Sequence, residues 1–306
     1  MAREGVDPGV VAEPAPVRNP APVRNPAPVR NSALGRGPAE FDARPYLDGI
    51  GALLAGPANV IMQLALAPVG YGVVESKVDS GKVTEHPIKR FRTTFTYLSV
   101  AMLGSDAERA AYRDAVNGAH RFVRSDPDGP VKYNAFDRAL QLWVAACLYY
   151  GAVDVHTRMH GPMADDEADA FYQYAARFGT TLQVPDHMWP ADRAAFARYW
   201  QDAVARVSID PTIRGYLDDL VRRRHMPRPL RGSPRFNLFT TTGFLPPRFR
   251  DEMHFDWTEA DERRFDQLLR RIGRWQRFTP GCLRRIPFNV FLWDLRLRIR
   301  FGRRLV

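Results

Sequence analysis

At 306 residues, 45% of them hydrophobic, the chain is long enough to bury a core without covalent staples. Its two cysteines, Cys147 and Cys282, exclude a disulfide framework and a cysteine zinc site. The net charge of +10 does not imply nucleic acid: only four of the 44 basic residues are lysines (Lys77, Lys82, Lys89 and Lys132), a bias that reads as codon composition rather than phosphate contact.

The N-terminus, MAREGVDPGVVAEPAPVRN, lacks the apolar core of a signal peptide, and no run of 18 apolar residues follows. The expected location is therefore the cytoplasm. Residues 14–31 read PAPVRN three times over. Proline fixes φ and has no donor, so residues 1–40 are expected to form a disordered or polyproline-II arm.

From Phe41 the pattern is helical. Residues 43–76 predict two buried helices, broken near Gly56-Pro57 and again near Pro68. Pro87 opens a helix whose apolar stripe is Ile88, Phe91, Phe95, Leu98 and Met102, and Gly104 stops it. Ser105 with Glu108 three residues on predicts a capping box for the next helix, which carries Val116, Ala119 and His120 on one face. Residues 126–130, DPDGP, read as a loop, and residues 135–153 as a central helix apolar all round. Residues 165–178 begin acidic and end on Arg177, as the helix dipole favours. Pro190 and Pro211 each predict a helix start. Residues 226–256 look irregular, with room for short strands. Thr258 caps a helix with Phe265, Leu268, Leu269, Ile272 and Trp275 inward. With no strand–helix alternation and no glycine-rich phosphate loop, the reading is all-α: an arm (1–40), one multi-helix domain (41–281) and a basic aromatic tail (282–306).

Three sets of residues could carry chemistry. Arg90 and Thr94 are four apart and share a helix face next to the apolar stripe. They fit either a polar ligand or a snorkelling arginine beside a threonine bonded to its own helix. His120 is either a core histidine or a ligand, and its small neighbours Gly118 and Ala119 would let a flat macrocycle approach. His156 and His160, one turn apart, could begin a metal site, but Gly161-Pro162 ends the helix at once and Asp165, Asp166 and Glu167 are explained by the next helix dipole. Cys147 reads as packing, and His187, His225 and His254 lack partners at ligand spacing. In the tail, Phe288, Phe291, Leu292, Leu295 and Ile299 can share an apolar side flanked by Arg296, Arg300 and Arg303. That pattern suits an anionic membrane surface.

The order of LLAGPANVIMQLALAPVGYGVVES, RFRTTFTYLSVAMLG, HRFV and YNAFDRALQLWVAACLYYGAV resembles the MpaB/latex-clearing-protein oxygenase family over roughly residues 45–275. The resemblance implies an all-α oxidoreductase holding one haem b through the histidine of an H-x-x-V motif, here His120–Val123. It implies a site arginine and threonine at Arg90 and Thr94, in preference to Arg92 and Thr96, and a base at Glu75. The expected reaction uses dioxygen on an apolar isoprenoid or lipid chain, cleaving a C=C bond. Many relatives carry a histidine where this chain has Ala67 and a glycine after the motif where it has Arg124 and Ser125. The alternatives are a lipid or membrane-surface binding protein on the same fold, without enzyme activity, and a metal enzyme using His156 and His160.

Overall fold

A computed structural model describes residues 41–76, 86–224, 226 and 231–306. The arm of residues 1–40 and His225 lie outside the described residues. Among the described residues there is no strand, only an isolated antiparallel bridge between Arg124 and Asn134. The chain is all-α.

The first helix, α1 (Gly49–Leu64), is capped by Asp48, which accepts from the Gly51 amide at 2.7 Å. It runs unbroken through Pro57, contrary to the break expected there. Proline removes one helical hydrogen bond, but tertiary contact outweighs the loss. Ala58, Ile61 and Met62 are fully buried, and Asn59 donates 2.7 Å to the Cys147 carbonyl on a neighbouring helix. The chain turns at Ala65-Leu66 into α2 (Ala67–Val74), bent by 111° from α1. No single helix among the described residues is long and apolar enough to cross a membrane.

Pro87 starts α3 (Pro87–Leu103) and Gly104 caps it. Its buried face differs from the expected stripe. Thr93, Thr96, Ser99 and Val100 turn inward together with Phe95 and Met102, while Ile88 and Phe91 are exposed. The small polar residues are tolerated because their hydroxyls bond to their own helix: Thr93 to the Arg90 carbonyl, Thr96 to Arg92 and Ser99 to Phe95. The capping box of Ser105 and Glu108 opens α4 (Asp106–His120) as expected, and His120 is its last residue.

The central helix α5 (Arg138–His160) explains its all-round apolarity. Trp143, Cys147, Val155 and Met159 face one core with Ile61, Leu217 and Phe265, and Leu142, Ala145, Ala146 and Tyr149 face a second with Phe95, Phe171 and Phe196. Next come α6 (Asp165–Ala175) and α7 (Arg177–Thr180). The next helix, α8 (Arg193–Ala205), starts after the cap Asp192 rather than at Pro190, whereas Pro211 does open α9 (Pro211–Val221).

Residues 234–253, expected to be irregular, form α10 (Pro234–Phe244) and α11 (Pro247–Met253). Proline occupies the first turn of each, where its missing donor costs nothing. The threonines of α10 again bond back to their own helix, Thr240 to Phe236 and Thr242 to Leu238. On α12 (Glu259–Gln276) the inward ridge is Phe265, Leu269, Gly273 and Gln276; Trp275 is 65% exposed, not inward. Gly273 lets α12 touch α5, since a Cβ there would lie 1.9 Å from the Met159 carbonyl oxygen. After the short α13 (Gly281–Arg284), α14 (Phe288–Arg300) packs along α3.

Candidate functional site

Helices α2, α3, α4, α5 and α7 line a cavity of about 270 Å³ that is open to solvent on one side. Most of its wall is apolar, including Val69, Val73, Leu98, Val116, Val144 and Leu148. His120, Arg90 and Thr94 all line it. Arg92 and Thr96 do not: Arg92 reaches toward Asp294 of α14 at 3.8 Å, and the Thr96 hydroxyl is spent on the Arg92 carbonyl.

The end of α4 delivers His120. The helix face that begins at Tyr112 and passes through Val116 and Ala119 forms one side of the cavity, and the chain turns at Val123, whose amide donates to the His120 carbonyl. The imidazole is half-buried, meets Phe136 edge-on at 6.2 Å, and its buried Nδ1 has no hydrogen-bond partner among the described residues. A buried ring nitrogen of this kind ordinarily finds a partner. Burial, aided by the charge of Arg90, lowers the His120 pKa to about 4, so the ring is neutral at physiological pH. A neutral imidazole is the form that ligates a metal.

Arg90 is the one arginine or lysine among the described cavity residues, and no aspartate or glutamate lines the wall with it. Its guanidinium forms no ion pair among the described residues, and burial pulls its pKa below the usual arginine value. A desolvated cation without a counter-charge is costly, so an anionic group in the cavity would be favoured. Thr94 presents its side chain to the cavity one turn further along α3.

Glu75 stands apart. It is exposed at the end of α2, outside the cavity wall, and accepts a hydrogen bond from the Tyr133 hydroxyl at 2.9 Å. Tyr133 does line the cavity, and burial together with the Glu75 bond pushes its pKa up to about 12. His156 and His160 lie 5.3 Å apart, but among the described residues no group of three metal-ligating side chains forms. His160 instead faces the capping carboxylate of Asp48 at 3.4 Å. His187 and His254 are exposed and do not line the cavity.

Sequence reasoning missed the tyrosines of the site. Tyr97 and Tyr112 line the cavity and fix α3 in place. The Tyr112 hydroxyl donates 2.7 Å to the Thr93 carbonyl, Tyr97 donates to Phe178 of α7, and Tyr174 of α6 donates 2.8 Å to Met102. Helical spacing could have found two of them, since Tyr112 lies eight residues before His120 and Tyr97 three after Thr94.

The fold and site together define a helical domain whose apolar cavity brings together His120, with an Nδ1 that has no partner among the described residues, and Arg90, which forms no ion pair among them. The chain belongs to the ER-bound oxygenase mpaB/B'/rubber oxygenase family, whose catalytic domain it matches over residues 43–277. It is similar to an uncharacterized protein of Mycobacterium tuberculosis and one of Mycobacterium bovis, each 51% identical over 255 residues, covering 83% of this chain and 100% of the relative. No solved structure matches it.

Proposed function

We propose that the protein is a haem b-dependent oxygenase acting on an apolar chain of isoprenoid or lipid type. The observation that carries this reading is the pairing, inside one apolar cavity, of a neutral His120 whose Nδ1 has no partner among the described residues with an Arg90 that forms no ion pair among them. The residues fit the group: His120 would ligate the iron, and Arg90 would neutralise a propionate or orient an oxygen ligand. When bound, haem supplies dioxygen binding and activation, which no side chain of the cavity provides.

The chain's own residues would hold the substrate and exclude water. The wall of Val69, Val73, Leu98, Val144 and Leu148 has few polar groups to recognise anything but hydrocarbon. Thr94, which lines the cavity beside Arg90, would supply a hydroxyl there. Glu75 is linked to the cavity by its bond from Tyr133, so a role as base would pass through that tyrosine. The proposed overall reaction joins both atoms of O2 to one C=C bond and yields two carbonyl groups, so it needs no external reductant.

The test is incubation of haem-supplemented protein with a polyprenyl chain and 18O-labelled dioxygen. One labelled oxygen in each of two carbonyl fragments is expected. Intact substrate with no oxygen consumption, across polyprenyl and unsaturated lipid chains, would overturn the substrate class.

A further inference from the structure

The outward face of α14 carries a second apolar stripe, distinct from the one that packs on the domain. Phe288, Leu292 and Leu295 are buried against the domain. Val290, Trp293, Leu297 and Phe301 recur at spacings of three, four and four, and therefore share the opposite side. Val290 is 48% exposed, Trp293 63% and Phe301 63%. The turn leading into the helix adds Phe278, Leu283 and Ile286, all exposed. So many large apolar side chains in water within one short segment mark an interaction surface.

The charge around the stripe names the partner. Residues 271–306 hold ten arginines and one acid, Asp294, a net +9 against +10 for the whole chain. Asp294 is already paired with Arg298 at 2.7 Å, and Arg296 with Glu108 at 2.7 Å. Arg274, Arg277, Arg300, Arg303 and Arg304 are exposed and form no ion pair among the described residues. Arg300 and Arg303 each lie 5.9 Å from the Phe301 ring. Two copies of so positive a face would repel one another, which disfavours a homodimer through it.

We infer that this face docks the protein on an anionic lipid surface, with Trp293 and Phe301 entering the headgroup boundary and the free arginines meeting lipid phosphates. Tryptophan and phenylalanine on one side with arginines beside them are the side chains of an interfacial helix. The surface also adjoins the cavity. Past Phe301 the chain turns inward, so that Leu305 and Val306 pack against the cluster of Val100, Tyr112, Leu292 and Leu295, and Val306 lines the cavity. An apolar substrate dissolved in the membrane would then meet the enzyme at the wall of its own pocket.

Docking is measured on the full chain, whether or not it turns over substrate, so its failure leaves the oxygenase reading standing. The assay is co-sedimentation with vesicles of phosphatidylcholine alone and of phosphatidylcholine mixed equally with phosphatidylglycerol. The protein should pellet with the mixed vesicles at low salt, be released at high salt, and stay in solution with the neutral ones. The triple variant Arg300→Glu/Arg303→Glu/Arg304→Glu should lose about a hundredfold or more in partitioning. Trp293→Glu/Phe301→Glu should bind weakly even at low salt. Both variants alter exposed side chains, and an unchanged thermal midpoint verifies their fold. Absence of the wild type from the mixed-vesicle pellet at low salt overturns the inference. So does undiminished binding by the aromatic variant, or a dimer in solution that Trp293→Glu abolishes without vesicle binding.

Discussion

Helix α3 carries Arg90 and Thr94, and its position rests on tyrosine hydroxyls that reach its backbone from neighbouring helices. Removing one is a direct test of that construction. Tyr112→Phe keeps the buried ring, which is 1% exposed, and deletes only the 2.7 Å bond to the Thr93 carbonyl. That carbonyl still accepts within its own helix, so no polar group is stranded, and the loss should be about 1 kcal/mol. For a domain of this size that lowers the thermal midpoint by about 2–4 °C. Tyr174→Phe should cost more, because its hydroxyl both donates to Met102 and accepts from Arg177 at 2.6 Å. The two bonds reach α3 nine residues apart, about 13 Å along the axis, so their effects should add. Scanning calorimetry of the two single variants and the double variant checks this. An unchanged midpoint in Tyr112→Phe would refute the claim that the hydroxyls hold the site helix, and a double-variant loss no larger than either single loss would refute their independence.

Other predictions concern the site itself. Arg90→Ala should lower turnover by about one to two orders of magnitude while most haem stays bound, because ligation rests on His120; Thr94→Val, close in shape but without the hydroxyl, should cost about tenfold. Oxygen consumption and the haem spectrum, measured together, separate turnover from binding, and full activity in both variants would make the pair structural. Glu75→Gln and Tyr133→Phe should alter turnover equally if Glu75 acts through Tyr133, whereas a loss confined to Glu75→Gln in steady-state assays would make it a direct base. A pH effect follows from His120 in the haem-free protein. The unfolded chain takes up a proton near pH 6.5 and the folded chain only near pH 4, so stability falls as pH falls through that window, by up to about 3 kcal/mol. His120→Gln should flatten this part of the profile in urea titrations, and an identical slope in both proteins would contradict the burial argument.

Where local chemistry decides, the sequence was readable. Pro87, Gly104, the Ser105–Glu108 box and the Thr258 cap each mark a helix end by backbone hydrogen-bonding rules that need no tertiary context. The spacing of Val116, Ala119 and His120 placed the histidine on an inward face for the same reason. What was not readable depends on the partner surface. Pro57 is carried inside α1 by contacts to α5, and the buried threonines of α3 and α10 look polar until their bonds to their own helices are seen. Trp275 is outward and Gly273 inward because the close α12–α5 approach admits no side chain. On α14 both sides are apolar, so periodicity alone cannot say that Phe288, Leu292 and Leu295 dock while Trp293 and Phe301 stay exposed. Arg90 and Arg92 likewise differ in what each meets, a cavity or Asp294, which spacing alone does not show.

The central claim is that His120 is a haem ligand, and visible absorption of the protein purified after haem-supplemented expression tests it most directly. The wild type should show a Soret band and the pyridine haemochrome of haem b, and His120→Ala should lose the spectrum of a histidine-ligated iron. A colourless wild type, or a His120→Ala variant with an unchanged axial-ligand spectrum, would contradict it.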